Sequence, residues 1–521
     1  MLPPFSYLGL GINQVPAWLE HAQAWQDLTA EVKRRCMDSR NISQLRQRAH
    51  SALRNPYQPV AVEAVAALAA AEDHVADNWY NLAFVQRIHG MFELALQSYD
   101  KAIRRGIRGA QDVHLNRSVI FSEFLDNPEA AHCELRHALA IAPDFDAAWL
   151  NLALLAEDAG DVAAARQAYR SLLDCHQHHP MAVARLARLL DPDAGIDLVR
   201  TALQRRNFDV DLAGDLWSSL AYLLDKSGDY DEAFQAAVQA KRFAASLIPA
   251  PHRYDPDQTD RLVAALQIEQ VPNLEPECEG PMPIYICGMF RSGSTLVESL
   301  LGRHSAITPC GEREALPRLI GSYRSSPPAP QAKLDALVNM RRQYRQSLKH
   351  LAIATPWFTD KRPDNIQHLS VAKAMFGQAR ILITARHPLD NLISCFLLNF
   401  DVQVPYAVDL DHICHWMVKS RELAQTWHAR WPNDVYTVQY EALVAEPRAC
   451  LAPVLNSLSL PWEAACLDPA TALPATRTPS SIDIRKPVYQ RSVGRWRNYA
   501  RHLGPQIDFC MKAGLLDAEG L

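Results

Sequence analysis

The segment Ile284-Tyr-Ile-Cys-Gly288-Met-Phe-Arg291-Ser-Gly-Ser-Thr295-Leu-Val-Glu298 joins a short apolar run to a glycine-bearing turn, then to a stretch that opens on hydroxyl residues. Read as strand, loop and helix, this order turns unpaired backbone N–H groups and the positive end of a helix dipole toward an anion. Arg291, Ser292, Gly293, Ser294 and Thr295 are therefore candidate ligands for a phosphate or sulfate. The loop has Arg291-Ser292-Gly293 where an ATPase or kinase P-loop would have Gly-Lys-Ser/Thr. An arginine fork grips an oxyanion through two parallel hydrogen bonds and keeps its charge, whereas the Walker lysine is a point charge beside magnesium. The residues point to an anion handled without a metal ion. An ordinary βα turn would share the helix-starting hydroxyls, so the other polar positions must separate the two readings.

A second such position is Ala385-Arg386-His387-Pro388, which follows the apolar run Ile381 to Thr384. It puts Arg386 at the carboxyl end of a strand, where open α/β sheets bind ligands. Ser394, eight residues on, lies about two helical turns along the next element and can reach the same anion. His412, Cys414 and His415 suggest a metal at first glance, but they sit in an apolar helical pattern with no second cluster at zinc-site spacing. They read as core or surface residues.

The elements that must hold these residues alternate. Strands are expected at 284–288, 381–384 and 435–438, with helices over 294–303 and from Pro388 onward, which predicts a parallel sheet with helices on both faces. The first half is different. Trp79-Tyr-Asn81-Leu82-Ala83 recurs as Trp149-Leu-Asn151-Leu152-Ala153, and Asn116 lies 35 residues from each Asn. Ala95, Ala130 and Ala165 keep that interval, and Gly90 and Gly160 mark the turns of the outer copies. This period and its small and aromatic residues resemble tetratricopeptide repeats, with about five or six units between residues 20 and 245. Such arrays present a concave face to a partner or brace a neighbouring domain.

At 521 residues the chain exceeds one hydrophobic core. Seven prolines fall between Pro249 and Pro283, so the expected organisation is a helical repeat domain over 1–248, a linker over 249–282 and an α/β domain over 283–521. A net charge of −5 gives no general case for nucleic-acid binding. Eleven scattered cysteines without a C-x-x-C pair do not form a disulfide framework. The start lacks a basic region followed by an apolar run, and no stretch reaches membrane-spanning length, so a cytoplasmic location without a membrane span is expected.

The combination resembles the sulfotransferase family that uses 3′-phosphoadenosine-5′-phosphosulfate (PAPS). The matching residues are the Gly288 to Thr295 loop, Arg386 with Ser394, Thr359-Asp-Lys361-Arg-Pro363-Asp-Asn365, and Arg485-Lys486-Pro487-Val-Tyr489 running to Ser492-Val-Gly-Arg495-Trp496, together covering roughly 283 to 505. With the repeats, the chain is similar to bacterial tetratricopeptide-repeat sulfotransferases, whose catalytic half resembles tyrosylprotein sulfotransferases. The resemblance implies a multidomain protein: an all-α repeat solenoid followed by an α/β P-loop-like parallel-sheet domain. It implies that Arg291 to Thr295 hold the 5′-phosphosulfate, that Arg386 and Ser394 hold the 3′-phosphate, and that Tyr440, Arg485, Lys486 and Arg495 complete the nucleotide envelope.

Family members place a Glu 21 residues after the loop Arg and a His at 13, here Glu312 and His304. Glu312 is thus the expected base for an acceptor hydroxyl whose pKa is about 10 or above. Glu314 is the alternative after a one-residue shift, because Arg313 intervenes where tyrosylprotein sulfotransferases have two consecutive acids. Lys361 matches the lysine that meets charge developing on the bridging oxygen, and Ser480, or its neighbour Ser481, matches the transition-state serine. No metal is expected for this transfer, since a sulfuryl group carries less charge than a phosphoryl dianion. The acceptor is open between a polypeptide tyrosine, a glycan, a lipid-linked sugar and a small phenol, and pairing of repeat faces into a homodimer is equally open. The competing readings are a nucleotide-binding but inactive repeat scaffold, and a P-loop kinase, which would need the missing lysine and a magnesium carboxylate.

Overall fold

Small residues recurring at fixed intervals let helices approach closely, and each aromatic then fills the gap left beside them. The computed structural model describes residues 39–58, 60–205, 210–275, 280–400, 404–468 and 491–517. The chain divides into two compact units, Met1–Leu155 and Ala156–Leu521.

In the first unit, α1 (Ser39–Arg54) pairs with α2 (Val60–Ala71), α3 (Ala76–Ile88) with α4 (Phe92–Arg104), and α5 (Ala110–Val119) with α6 (Pro128–Ile141); α7 (Asp146–Ala159) follows. Trp79, Ala83, Ala95 and Tyr99 are buried, as the repeat pattern requires. The α3–α4 turn passes through Gly90 at φ 74°, a left-handed backbone that only glycine adopts freely. The α5–α6 turn is unlike it: α5 runs into a π-helical turn, Ile120–Phe124, and Asp126 takes the left-handed position at φ 49°.

The second unit continues with α8 (Val162–Cys175), α9 (Pro180–Leu189), α10 (Pro192–Leu203), α11 (Val210–Ser227), α12 (Tyr230–Leu247) and α13 (Pro256–Ile268). The sheet domain follows as β1 (Met282–Gly288), α14 (Ser294–Leu301), β2 (Ile307–Thr308), α15 (Ala315–Ser325), α16 (Pro330–Ser347), β3 (Trp357–Lys361), α17 (Leu369–Met375), β4 (Arg380–Ala385) and α18 (Pro388–Leu397). Then come α19 (Leu410–Arg430), β5 (Val435–Gln439), α20 (Tyr440–Ala445), α21 (Pro447–Ser457) and α22 (Gly504–Lys512). The strands form one parallel sheet in the order β2-β3-β1-β4-β5. β1 is central, so connections leave it toward β2 and β3 on one side while β4 and β5 lie on the other, and the carboxyl ends of β3, β1 and β4 sit side by side.

The repeat array followed by a parallel-sheet domain is the architecture expected from the sequence. The division differs from the expected boundary at 249–282. One continuous core joins Val183, Leu216, Leu220 and Phe234 of the later repeats to Tyr285, Phe358, Ile381 and Trp427 of the sheet domain. The later repeats thus pack directly on the sheet domain, and α13 forms inside the proline-rich segment and packs on α19. Among the described residues no helix is long and apolar enough to cross a membrane.

Candidate functional site

Register places the polar positions. Ile286 of β1 lies opposite Lys361 on one side and Leu382 on the other, and Gly288 lies opposite Thr384. The loop after β1 therefore emerges between the end of β3, which carries Lys361, and the end of β4, which leads to Arg386. A Cβ on Gly288 would stand 2.5 Å from the Thr384 carbonyl oxygen, and one on Gly293 (φ 104°) would stand 2.8 Å from the Tyr440 ring. The backbone thus comes close to β4 and to Tyr440, and both approaches exclude a side chain. Ser292 is buried, donates to the Met289 carbonyl at 2.6 Å and lies 2.6 Å from Thr384 Oγ1. Gly293 is the N-cap of α14 and provides no side-chain cap, so the first turn of α14, at Ser294 and Thr295, carries amides that no N-cap side chain serves.

The loop is gripped from the β4 side. Arg291, itself at φ 66°, donates from Nε to Ser394 Oγ of α18 at 3.2 Å. Arg386 donates to the Arg291 carbonyl at 3.2 Å and to the Ser492 carbonyl at 2.6 Å, and its guanidinium lies 4.8 Å from the centroid of Tyr440. Arg386 Nε is buried without a hydrogen-bond partner among the described residues. Asn391, one turn before Ser394, donates to the Phe290 carbonyl at 2.8 Å. Arg291, Ser292, Gly293, Arg386, Ser394 and Tyr440 are thus brought together.

On the β3 side, Lys361 Nζ donates to Glu312 Oε1 at 2.5 Å, and the Lys361 amide donates to the Gly311 carbonyl at 3.0 Å. The lysine side chain is wholly buried while that of Glu312 is 36% exposed. Of the two acids near Cys310-Gly311, Glu312 meets the lysine; Glu314 is exposed and stands at the N-cap position of α15 without a side-chain capping bond. Glu298 of α14 is buried and accepts from Thr359 Oγ1 at 2.6 Å and from the Gly311 amide at 2.9 Å. Burial pushes its carboxyl pKa up, and nearby Lys361 pulls against that rise. This carboxyl brackets the loop that presents Glu312. His304 is buried elsewhere, with Nε2 2.9 Å from the Pro461 carbonyl oxygen.

Arg495 departs from the expected nucleotide envelope. Its Nη2 pairs with Asp225 of α11 at 2.6 Å, and Tyr499 donates to the same carboxylate at 2.5 Å. Its charge is committed to a repeat helix because the segment from Ser492 is drawn onto α18, where Asp390 accepts from the Gly494 and Trp496 amides at 2.6 and 2.8 Å. Ser480, Ser481, Arg485 and Lys486 lie outside the described residues. His412, Cys414 and His415 form no metal cluster among the described residues; His415 meets Tyr254 at 2.8 Å and Cys414 is buried.

Glu298, Asn391 and Asp390 were not singled out from the sequence. Glu298 did leave a signal, an acid at a helix position flanked by Val297, Leu300 and Leu301 where the buried face calls for an apolar residue. The other two carry none beyond lying on the same helix as Ser394.

Residues 283–464 match the family model described as the sulfotransferase family. An uncharacterized protein of Aquifex aeolicus (strain VF5) is 29% identical over 302 residues, which is 55% of this chain and 40% of that protein; the match therefore spans less than half the length of this relative. Among solved structures, the chain is similar to the sulfotransferase domain of the Synechococcus PCC 7002 olefin synthase, with a TM-score of 0.36 and 21% identity over 47% of this chain and 98% of that one. It is also similar to a tetratricopeptide repeat protein of Parabacteroides merdae, with a TM-score of 0.32 and 16% identity over 43% of this chain and 91% of that one.

Proposed function

Starting from a chain that carries a sulfotransferase-family domain over residues 283–464, we propose that it transfers a sulfuryl group from PAPS to an acceptor hydroxyl. The observation that carries this reading is the Lys361–Glu312 pair at the sheet edge beside the anion loop. A wholly buried ammonium needs a partner, and in the free protein Glu312 is that partner. Glu312 is also the half of the pair that reaches solvent, so it is the half an incoming hydroxyl can meet.

The residues present fit the nucleotide. Arg386 keeps a buried Nε without a protein partner among the described residues, the α14 amides have no side-chain cap, and Tyr440 offers a ring face beside both. PAPS, when bound, supplies the sulfuryl group and leaves as 3′,5′-adenosine bisphosphate. Arg291 and the Ser292 to Thr295 segment would hold its 5′ end, and Arg386 with Ser394 its 3′-phosphate. Glu312 would take the acceptor proton as the hydroxyl attacks, and Lys361, fixed by burial, would stabilise charge on the departing oxygen. Ser480, Arg485 and Lys486 belong to the reading through the family resemblance. The reading includes a polypeptide tyrosine as acceptor, supported by the resemblance and by the repeat array, and a cytoplasmic location.

Calorimetry with 3′,5′-adenosine bisphosphate and with ATP, paired with turnover of labelled PAPS on tyrosine peptides, tests it. The bisphosphate should bind at least tenfold more tightly than ATP with or without magnesium, and Glu312→Ala should lose turnover while keeping bisphosphate affinity. Preferential magnesium-dependent ATP binding would overturn the proposal in favour of a kinase-like activity, and bisphosphate binding without turnover of any hydroxyl acceptor would leave a binding scaffold.

A further inference from the structure

The middle repeat of the first unit departs from its neighbours at several positions, and three of the replacements are side chains that bind metals. Counting 35 residues on from Trp79, Tyr99 and Ala102 gives His114, Glu134 and His137; 35 further gives Trp149, Tyr169 and Leu172. In the neighbouring copies Trp79, Tyr99, Ala102, Tyr169 and Leu172 are buried apolar packing residues. Here two imidazoles and a carboxylate appear together at the positions where α5 and α6 face each other.

We propose that His114, Glu134 and His137 form a zinc-binding site that fastens α5 to α6 in place of the missing aromatic packing. Their donor atoms all lie within 4.8 Å of one another. His114 Nδ1 is 2.7 Å from Glu134 Oε2, and the two imidazole centroids are 5.3 Å apart. Tetrahedral zinc with bonds of about 2.0 to 2.2 Å holds its donors roughly 3.4 Å apart, a value that falls between the 2.7 Å contact and the 4.8 Å limit. His137 is exposed, so turning its ring would close the remaining distance. Two imidazoles and one carboxylate are a three-ligand zinc set, with water completing the tetrahedron.

Charge favours a cation at the same place. Glu134 is buried, and Arg117 donates to its Oε1 at 2.8 Å and to Asp100 at 2.6 Å. One guanidinium serving two carboxylates leaves a surplus negative charge beside two imidazoles. Arg117 would stay on Oε1 and orient the carboxylate, leaving Oε2 for the metal. The π-helical turn Ile120–Phe124 directly after α5 is the further irregularity of this repeat, and such turns concentrate at functional sites.

The test uses the full chain stripped with a chelator and titrated with zinc sulfate at neutral pH, read by calorimetry and by thermal unfolding of the first unit. One equivalent should bind, raising the unfolding temperature. His137→Ala, at an exposed position, should unfold like the wild type without metal yet bind zinc at least tenfold more weakly; Glu134→Gln should lose the same equivalent. Zinc-independent unfolding, or affinity unchanged in both variants, would overturn the site.

Discussion

Arg291 of the anion loop and Ser394 of α18 are joined by a 3.2 Å hydrogen bond, although the family resemblance assigns them to opposite ends of the nucleotide. The two halves of the candidate site are therefore one hydrogen-bonded unit in the free protein. A ligand that reaches either residue must also deal with the other.

Ser394→Ala should lower affinity for 3′,5′-adenosine bisphosphate by about tenfold, the scale of one hydrogen bond to a charged group. Arg386→Ala should cost more with the bisphosphate than with 5′-AMP, which lacks the 3′-phosphate. Equal losses for the two nucleotides, measured by calorimetry, would remove Arg386 from the 3′-phosphate.

Arg495→Ala discriminates between its expected and its observed partner. With Asp225 as partner, the change should destabilise the second unit by roughly 1 to 3 kcal/mol, since it leaves a half-buried carboxylate with less company, and should leave bisphosphate affinity within twofold. A large affinity loss with unchanged denaturant midpoint would place the guanidinium on the nucleotide instead.

Gly293→Ala should abolish nucleotide binding and destabilise the fold by about 1 to 3 kcal/mol through its left-handed backbone alone. Adding Tyr440→Ala removes the ring that the new Cβ would meet at 2.8 Å and should recover only part of the loss, because φ 104° stays unfavourable for alanine. Full recovery in the double variant would show that the contact alone sets the cost.

Lys241 of α12 is buried and donates to the Leu398 carbonyl at 2.6 Å at the end of α18. Burial pushes its pKa down to about 7. Between that value and the ordinary lysine value near ~10.4 the unfolded chain binds a proton the folded chain does not, so this residue makes stability rise with pH by up to about 1.4 kcal/mol per unit. Below pH 7 both states are charged and its contribution is flat. The difference between wild type and Lys241→Met in urea midpoints from pH 6 to 10 should show that slope; parallel curves would mean the ammonium is charged in the fold throughout.

Much of the architecture was readable because it rests on local periodicity. The 35-residue interval fixes which helical faces are apolar, and the runs at 284–288, 381–384 and 435–438 are strands in the structure with at most small shifts at their ends. The residues of β3 carry a motif without a strand signal, since Thr359, Asp360 and Lys361 interrupt the apolar run that would announce it. They are tolerated in the interior because Glu298, Tyr344, Asn365 and Glu312 satisfy their side chains.

By itself the sequence determined that a glycine-bearing strand-to-helix loop, a strand-end arginine and a helical repeat array exist, since each is written in neighbouring residues whose backbone preferences and spacing are local. Only the tertiary structure decided that the later repeats share the sheet's core, that Glu312 rather than Glu314 faces Lys361, that Arg495 answers Asp225, and that Glu298 and Asn391 hold the loop. Those facts depend on which distant side chains meet once the apolar faces are buried, and pairing energies of this kind are set by three-dimensional proximity and desolvation, which no linear spacing encodes.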